Sequence, residues 1–304
     1  MEDKIRKCIR DIEEEYGVHA ISCRSFGSHM MNLDSPDSDY DAFLIFAQDA
    51  SDYATIGNYR DTISYSEDEI DFQCWNVKKF GELLNDSNPT AMEFLNSDTI
   101  YYEFGEFTGM LDCLREDANE NFVPIALYYH YRSMAESNYM KYLKPCIYHK
   151  DGTRYPILQK DDTHLYTVDS SGDDDISGDR MTIDIRGDFH KGSLKQKVKR
   201  NLYVVRAILY AKHIRETHKM PRMNFPAFVE TMEPGDLDMS LSEIRRLKRF
   251  ISMKRSGKGK RDSGNPFGDF IEAELERELE HEKHSMGNMD TEMINDFIAR
   301  SIVR

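Results

Sequence analysis

The chain of 304 residues contains no run of about 18 apolar residues, so no segment reads as a membrane-spanning helix. Met1-Glu-Asp-Lys opens no signal-peptide pattern, and no internal repeat is visible. Cysteine is scarce. Cys8, Cys23, Cys74, Cys113 and Cys146 are odd in number and lack metal-site spacing, which argues against a disulfide framework and fits reduced, mostly buried thiols in the cytoplasm. Positive charge is outnumbered, 40 Lys+Arg against 55 Asp+Glu for a net charge of −15, which excludes wholesale coating of nucleic acid but not a local basic groove. The only tryptophan, Trp75, is assigned to the core, with base stacking as the alternative. The length suffices for one large domain or two ordinary ones.

What is present has a clear order. Asp3–Tyr16 places Ile5, Cys8, Ile9 and Ile12 at helical spacing. Val18–Phe26 reads as a strand, Ser28–Leu33 as a helical turn, Asp34–Ser38 as a turn cluster and Tyr40–Phe46 as the next strand. After an excursion over Ser51–Tyr59, Ile63–Ser66 and Glu69–Val77 read as strands, with Asp68 and Glu69 at the turn between them. Val77–Leu84 continues as a helix, and Asn88-Pro89 opens another. Met110–Ala118 and Pro124–Tyr142 are helical. Cys146–His149 and Arg154–Leu158 flank a hairpin turn at Lys150–Thr153, Ser170–Asp179 is polar and acidic, and Met181–Ile185 is a further strand. Helices follow at Leu194–Lys219, Ser240–Lys254, Phe267–His284 and Thr291–Ile302. The expected fold is α/β (α+β). A mixed sheet with flanking helices occupies 1–108, and a mainly helical region fills 109–304 with a β-rich insertion at about 146–190.

The most informative stretch is Gly27–Asp41. Gly27-Ser28 lies where a strand gives way to a helical turn, so its free backbone N–H groups can hold a polyphosphate. Asp39 and Asp41 then lead into Ala42-Phe-Leu-Ile-Phe46. Side chains at i and i+2 of a strand share a face, so the two carboxylates can converge on one divalent cation. Hard oxygen ligands suit Mg²⁺, which keeps substrate phosphates and waters as its other ligands. Asp71 is the third candidate: Ile70, Phe72 and Cys74 point one way, so Asp71 points the other. Against this stands the common occurrence of Asp-x-Asp on solvated strand edges.

Gly27-Ser28 followed by Ser35-Pro-Asp-Ser-Asp-Tyr-Asp41 resembles the signature of the DNA polymerase beta nucleotidyltransferase superfamily. Within it the chain is similar to a bacterial and phage family associated with RNA repair genes. Ile70–Phe80, Asn88–Asn96, His130–Tyr139 and Lys199–Arg206 extend the likeness over most of the chain. The resemblance implies a metal-binding and catalytic triad of Asp39, Asp41 and Asp71, with Asp71 acting on the acceptor hydroxyl. It also implies two Mg²⁺ ions (or Mn²⁺) and an NTP whose β- and γ-phosphates lie on Gly27 and Ser28; His29, next in the chain, either takes over part of a phosphate contact or is a loop histidine without a role. Lys199, Tyr203 and Arg206, at i, i+4 and i+7, form one helical face from which Lys199 and Arg206 can neutralise the triphosphate; the alternative is that this face is solvated or pairs with local acids. Two positions depart from the family: His29 replaces an Arg, and Asn32, which tolerates a left-handed backbone, replaces a Gly. His130 with Tyr131 is expected between helices.

Arg245–Arg261 stands out in an acidic chain. Arg245, Arg246, Lys248, Arg249, Lys254 and Arg255 make a candidate docking strip for RNA, unless the acids of Glu272–Glu282 neutralise it. The expected activity is Mg²⁺-dependent transfer of NMP from an NTP to a hydroxyl, an RNA or tRNA end being preferred. The rivals are transfer to a protein side chain (AMPylation) or a small molecule such as an aminoglycoside, and a non-catalytic nucleotide- or RNA-binding protein.

Overall fold

The computed structural model describes residues 1–57, 59–169, 180–192 and 195–303. In chain order the elements are α1 (Glu2–Tyr16), β1 (His19–Ser25), α2 (Gly27–Met30), β2 (Tyr40–Ala47), α3 (Ala50–Tyr53), β3 (Thr62–Glu67), β4 (Ile70–Asn76), α4 (Val77–Asn85), α5 (Pro89–Leu95), β5 (Ile100–Glu103), α6 (Thr108–Asn121) and α7 (Pro124–Tyr142). Five short strands follow: β6 (Cys146–His149), β7 (Arg154–Lys160), β8 (Leu165–Asp169), β9 (Arg180–Asp184) and β10 (Phe189–Lys191). The chain then forms α8 (Val198–Thr217), α9 (Phe225–Glu230), α10 (Leu241–Met253), a π-helical turn at Lys254–Lys258, α11 (Gly268–Leu275), α12 (His281–His284) and α13 (Thr291–Val303).

The first sheet has the order β3-β4-β2-β1-β5. Only β2 and β4 are parallel; the other neighbours are antiparallel. Ala42–Ala47 is buried on both faces, as a central strand packed on two sides requires. Alternation along β2 splits the core in two. Ala42, Leu44 and Phe46 join Ile70, Phe72, Cys74 and the Ile5, Cys8, Ile9, Ile12 stripe of α1. Phe43 and Ile45 join Trp75 and the helices α4–α8 in one continuous larger core. Trp75 is a core residue, its ring edge-on to Phe43 at 4.8 Å.

The second sheet, in the order β10-β6-β7-β8-β9, is antiparallel throughout and realises the β-rich insertion. It has its own small core of Ile147, Tyr166, Val168 and Ile183. The acidic stretch Ser170–Asp179 and the expected helix start at Leu194 lie outside the described residues.

Three sequence expectations are corrected. The helix expected over Phe267–His284 ends at Leu275 and resumes only as one turn, because Glu272, Glu276 and Glu280 repeat like charge at i, i+4. The short elements β5, β8, β10 and α9 go beyond the sequence pattern. His130 is exposed rather than packed between helices, whereas its neighbour Tyr131 is buried. Asn32 does take the left-handed conformation, at φ 54°, and Asp68 turns β3 into β4 at φ 53°.

Candidate active site

Asp41 and Asp71 are register partners at the starts of the parallel pair β2 and β4. Partners in such a ladder project to the same sheet face, here the face of Phe43 and Ile45. Asp39 precedes β2 and is exposed. The half-buried Asp41 carboxyl is pushed above the ordinary carboxylate range, first by burial, then by the charges of Asp71 and Asp39. The backbone N–H of Ser28 bonds to the same carboxylate and acts in the opposite direction. Ser66, which faces Asp71 from β3, donates its hydroxyl to Asp71 Oδ1 at 2.6 Å.

Among the described residues no three His, Cys, Asp or Glu side chains approach closely enough to hold a metal ion. The three carboxylates repel one another, and Asp71 is drawn toward Ser66. As a donor set they nevertheless fit a hard divalent cation: oxygen ligands only, with the charge on Asp41 disfavoured by the other two.

Gly27 is fixed by both conformation and space. Its φ is +59°, and a Cβ there would lie 1.9 Å from Asp41 Oδ2. Only glycine lets the Gly27-Ser28 turn approach the β2 carboxylate so closely. His29 stacks on Tyr40 with ring centroids 4.2 Å apart, and its Nδ1 lies 3.7 Å from Asp34 Oδ2. Its Nε2 is buried without a hydrogen-bond partner.

A cavity of about 240 Å³ opens beside these residues. Ser28, Ser35, Asp37, Ser38, Asp39 and Asp41 line it from the sheet side, and Lys199, Tyr203, Lys254, Gly257, Gly259 and Lys260 from the helical side. Acids and ammonium groups therefore face each other across one small space. Burial and the neighbouring cations Arg200, Lys260 and Lys197 push the Lys199 ammonium down, while Asp39 acts against them. Burial, then the Asp41 charge, pushes the Tyr203 hydroxyl up.

Gly27, His29 and Asp71 stand beside the cavity rather than in its wall, and two further positions depart from expectation. Arg206 does not line the cavity. It is 4% exposed, and its Nη1 donates to Glu93 Oε1 at 2.7 Å, an oxygen that also accepts the Tyr131 hydroxyl at 2.9 Å. Positions i and i+7 share a helical face, but seven residues advance about 10 Å along the axis. That rise carries Arg206 past the cavity and into the core. Lys254, expected on an exposed RNA strip, is instead turned inward to the cavity and is 7% exposed.

The rest of the strip remains outside. Arg245, Arg246, Arg249 and Arg255 are exposed, and Lys248 is half-buried with Glu230 at 3.3 Å. Arg246 donates to the Pro266 carbonyl. The acids of Glu272–Glu282 do not neutralise this face among the described residues. Glu272 pairs with Lys144 and Tyr139, and buried Glu274 with Lys212, Arg215, Arg277 and Tyr128.

Sequence reasoning missed Ser35, Asp37, Ser38, Lys260 and the two glycines as wall residues, and Ser66 as the partner of Asp71. One signal was available. Ile244, Leu247 and Ile251 form the buried stripe of α10, and position 254 continues it by three and seven residues. A lysine on that stripe points inward.

Asp39 and Asp41 opposite a wall of ammonium groups, with Asp71 beside Asp41 in register, suit a substrate carrying both a metal-chelated phosphate chain and a reacting hydroxyl. The class is that of the DNA polymerase beta-type nucleotidyltransferases. Residues 1–300 match the RNA repair pathway DNA polymerase beta family, and the chain belongs to that family. It is similar to the uncharacterized protein YcgL of Bacillus subtilis (strain 168), 36% identical over 145 residues, or 47% of this chain and 55% of that protein. The chain thus matches about half the length of that curated relative. A solved nucleotidyltransferase-like protein from Exiguobacterium sibiricum 255-15 aligns over 98% of this chain and 74% of its own, at 9% identity and a TM-score of 0.26. The family assignment rests on the sequence match.

Proposed function

We propose that the chain moves a nucleoside monophosphate from an NTP to a hydroxyl group, with release of pyrophosphate, and that the hydroxyl belongs to an RNA or tRNA end. The observation that carries the reading is the register of Asp41 with Asp71, which puts two carboxylates on one face beside the Gly27-Ser28 turn.

In this reading Asp39, Asp41 and Asp71 hold divalent metal, two Mg²⁺ ions or Mn²⁺ in their place. Bound metal supplies charge neutralisation of the triphosphate and a lowered pKa for the attacking hydroxyl. The Gly27-Ser28 backbone, with Lys199 and Tyr203 opposite and His29 at the edge, holds the phosphate chain. Asp71, oriented by Ser66, accepts the proton of the acceptor hydroxyl. The new bond joins the acceptor oxygen to the α-phosphorus. The bond that breaks is the one from the α-phosphorus to the bridging oxygen that leaves with pyrophosphate. Positioning and charge neutralisation provide most of the rate enhancement.

Residues 1–108 are proposed as the catalytic unit and 109–304 as the helical partner that closes the cavity. The RNA acceptor is supported by the family's description and by the exposed Arg245, Arg246, Arg249 and Arg255 on and just beyond α10. No helix among the described residues is long and apolar enough to cross a membrane. The net charge of −15 favours the rival of a cationic acceptor, so the test carries separate arms. The protein is incubated with Mg²⁺ and each α-labelled NTP against small RNA, a protein pool and aminoglycosides. Label on RNA that disappears in Asp39→Ala/Asp41→Ala supports the proposal. Label on protein or aminoglycoside instead replaces the acceptor, and transfer that survives the double change defeats the site.

A further inference from the structure

The basic run at Arg245–Arg261 ends in residues that the face of α10 leaves unused. This end lies alongside the segment that opens α8. The Lys199 N–H donates to the Gly259 carbonyl at 2.9 Å, the Val198 N–H to the Arg261 carbonyl at 3.0 Å and the Ser263 N–H to the Gln196 carbonyl at 2.8 Å. The two paired stretches, Lys195-Gln-Lys-Val-Lys-Arg200 and Lys258-Gly-Lys-Arg-Asp-Ser263, hold seven cations and one acid, in a chain whose acids outnumber its cations 55 to 40. Gln196 Nε2 donates to the Leu143 carbonyl at 2.8 Å, which brings the end of α7 to the same place. There the Arg200 guanidinium lies over the Tyr142 ring, 3.8 Å from its centroid, and Lys141 Nζ lies 5.3 Å from it.

The charge of this face is uncompensated. Lys141, Lys195, Lys197, Arg200, Lys258 and Arg261 form no ion pair among the described residues, and none of them lines the cavity. Exposed cations elsewhere are paired, Lys7 with Asp11 and Glu67, Arg300 with Asp296. The neighbouring ring reports the field: burial would raise the Tyr142 hydroxyl, yet Arg200, Lys141 and Lys195 outweigh it and hold the group below the ordinary tyrosine range. Six like charges held together on a fixed backbone repel one another, and a polyanion relieves that repulsion.

Two features select the polyanion. The stacked Tyr142 and Arg200 offer the aromatic and guanidinium planes on which an unpaired base stacks. None of the exposed large apolar side chains among the described residues lies in these segments, so nothing here would enter a bilayer beside the cations. The face also has a direction. Lys199 and Lys260, which adjoin Arg200 and Arg261 in the chain, line the cavity together with Asp39 and Asp41.

We propose that Lys141, Tyr142, Lys195, Lys197, Arg200, Lys258 and Arg261 form a binding surface for single-stranded RNA, which leads the strand to the cavity mouth with a base stacked at Tyr142. That the strand is the acceptor rests on the nucleotidyltransferase reading; that this face binds a strand does not.

The test measures the anisotropy of a fluorescent single-stranded RNA of about 12 nucleotides with the full chain, in EDTA and without NTP, across a salt series. Lys141→Gln/Lys195→Gln/Arg261→Gln, three exposed positions outside the cavity, should weaken binding at least about tenfold at low salt and reduce the slope of log affinity against log salt by about 2. Tyr142→Leu should weaken binding about fivefold or more at every salt concentration with the slope unchanged, and Tyr142→Phe should bind as the unaltered chain does. RNA affinity and slope unchanged in the triple variant overturn the proposal. So does Tyr142→Leu binding as the unaltered chain does, since the face would then attract anions without holding a strand. Anionic phospholipid vesicles bound as tightly as the RNA, and lost in the same triple variant, also overturn it by making the partner a membrane. Labelled transfer to RNA whose KM for RNA is unmoved by the triple change removes this face and leaves the transfer reading standing. RNA bound here but never labelled defeats the RNA-acceptor reading and leaves the face standing.

Discussion

Replacing Asp41 by Asn should stabilise the protein while removing its activity. The ionised Asp41 carboxylate is disfavoured by burial, then by Asp71, its register partner, and by Asp39. Neighbouring strands lie about 4.8 Å apart, and two unit charges at that spacing repel by about 1 kcal/mol in bulk water and about 3.5 kcal/mol at the effective dielectric of about 20 near a protein surface. Asn keeps the shape and can still accept the Ser28 N–H, so only the charge is lost. For a chain of this size each 1 kcal/mol of gain corresponds to about 2–4 °C in melting temperature, measured in EDTA. Because the folded-state pKa of Asp41 is raised, its ionisation destabilises the native state above that pKa. The difference between variant and unaltered protein is therefore largest at neutral pH and shrinks as pH falls through the raised value. Mg²⁺ with a non-hydrolysable NTP should raise the melting temperature of the unaltered protein and leave the variant unmoved. A variant that is less stable than the parent at neutral pH in EDTA would refute the reasoning, since it would show Asp41 to be a satisfied structural carboxylate.

Gly27→Ala forces a Cβ to within 1.9 Å of Asp41 Oδ2 at φ +59°; a stability loss of about 1–2 kcal/mol and a fall in labelled transfer of about a hundredfold are expected from denaturant melts and initial rates. Glu93→Gln weakens the partner of buried Arg206 and Tyr131, so guanidinium melts should show a loss of about 3–5 kcal/mol, and an unchanged midpoint would mean the pair is not the buried contact described. Arg245→Ala with Arg249→Ala should reduce the slope of log affinity for RNA against log salt by about 2 while leaving NTP affinity as it was. An unaltered slope would remove the exposed face of α10 from the RNA-binding surface.

Much of the site was legible because strand alternation is a strict rule. Ile70, Phe72 and Cys74 fix the facing of Asp71, and the β2–β4 register then sets it beside Asp41. The Gly27-Ser28 turn was legible from its place between an apolar strand and a polar turn, but the demand for glycine by the Asp41 carboxylate is a distance that no local pattern carries. Arg206 shows the limit of helical-face arguments: angular position is periodic, whereas depth along the axis depends on what the helix is packed against. Lys254 was misread because a run of basic residues reads as a solvated face, although its place on the Ile244–Leu247–Ile251 stripe pointed inward. Strands as short as β5 and β10 owe their existence to pairing with β1 and β6, and sequence-local propensity does not contain that partner.

The most direct test of the central claim is anomalous diffraction from crystals soaked with Mn²⁺ and a non-hydrolysable NTP. Manganese should appear against Asp39 and Asp41, with the triphosphate lying between the Gly27-Ser28 turn and Lys199. Nucleotide bound away from this cavity, or manganese on carboxylates other than these, would contradict it.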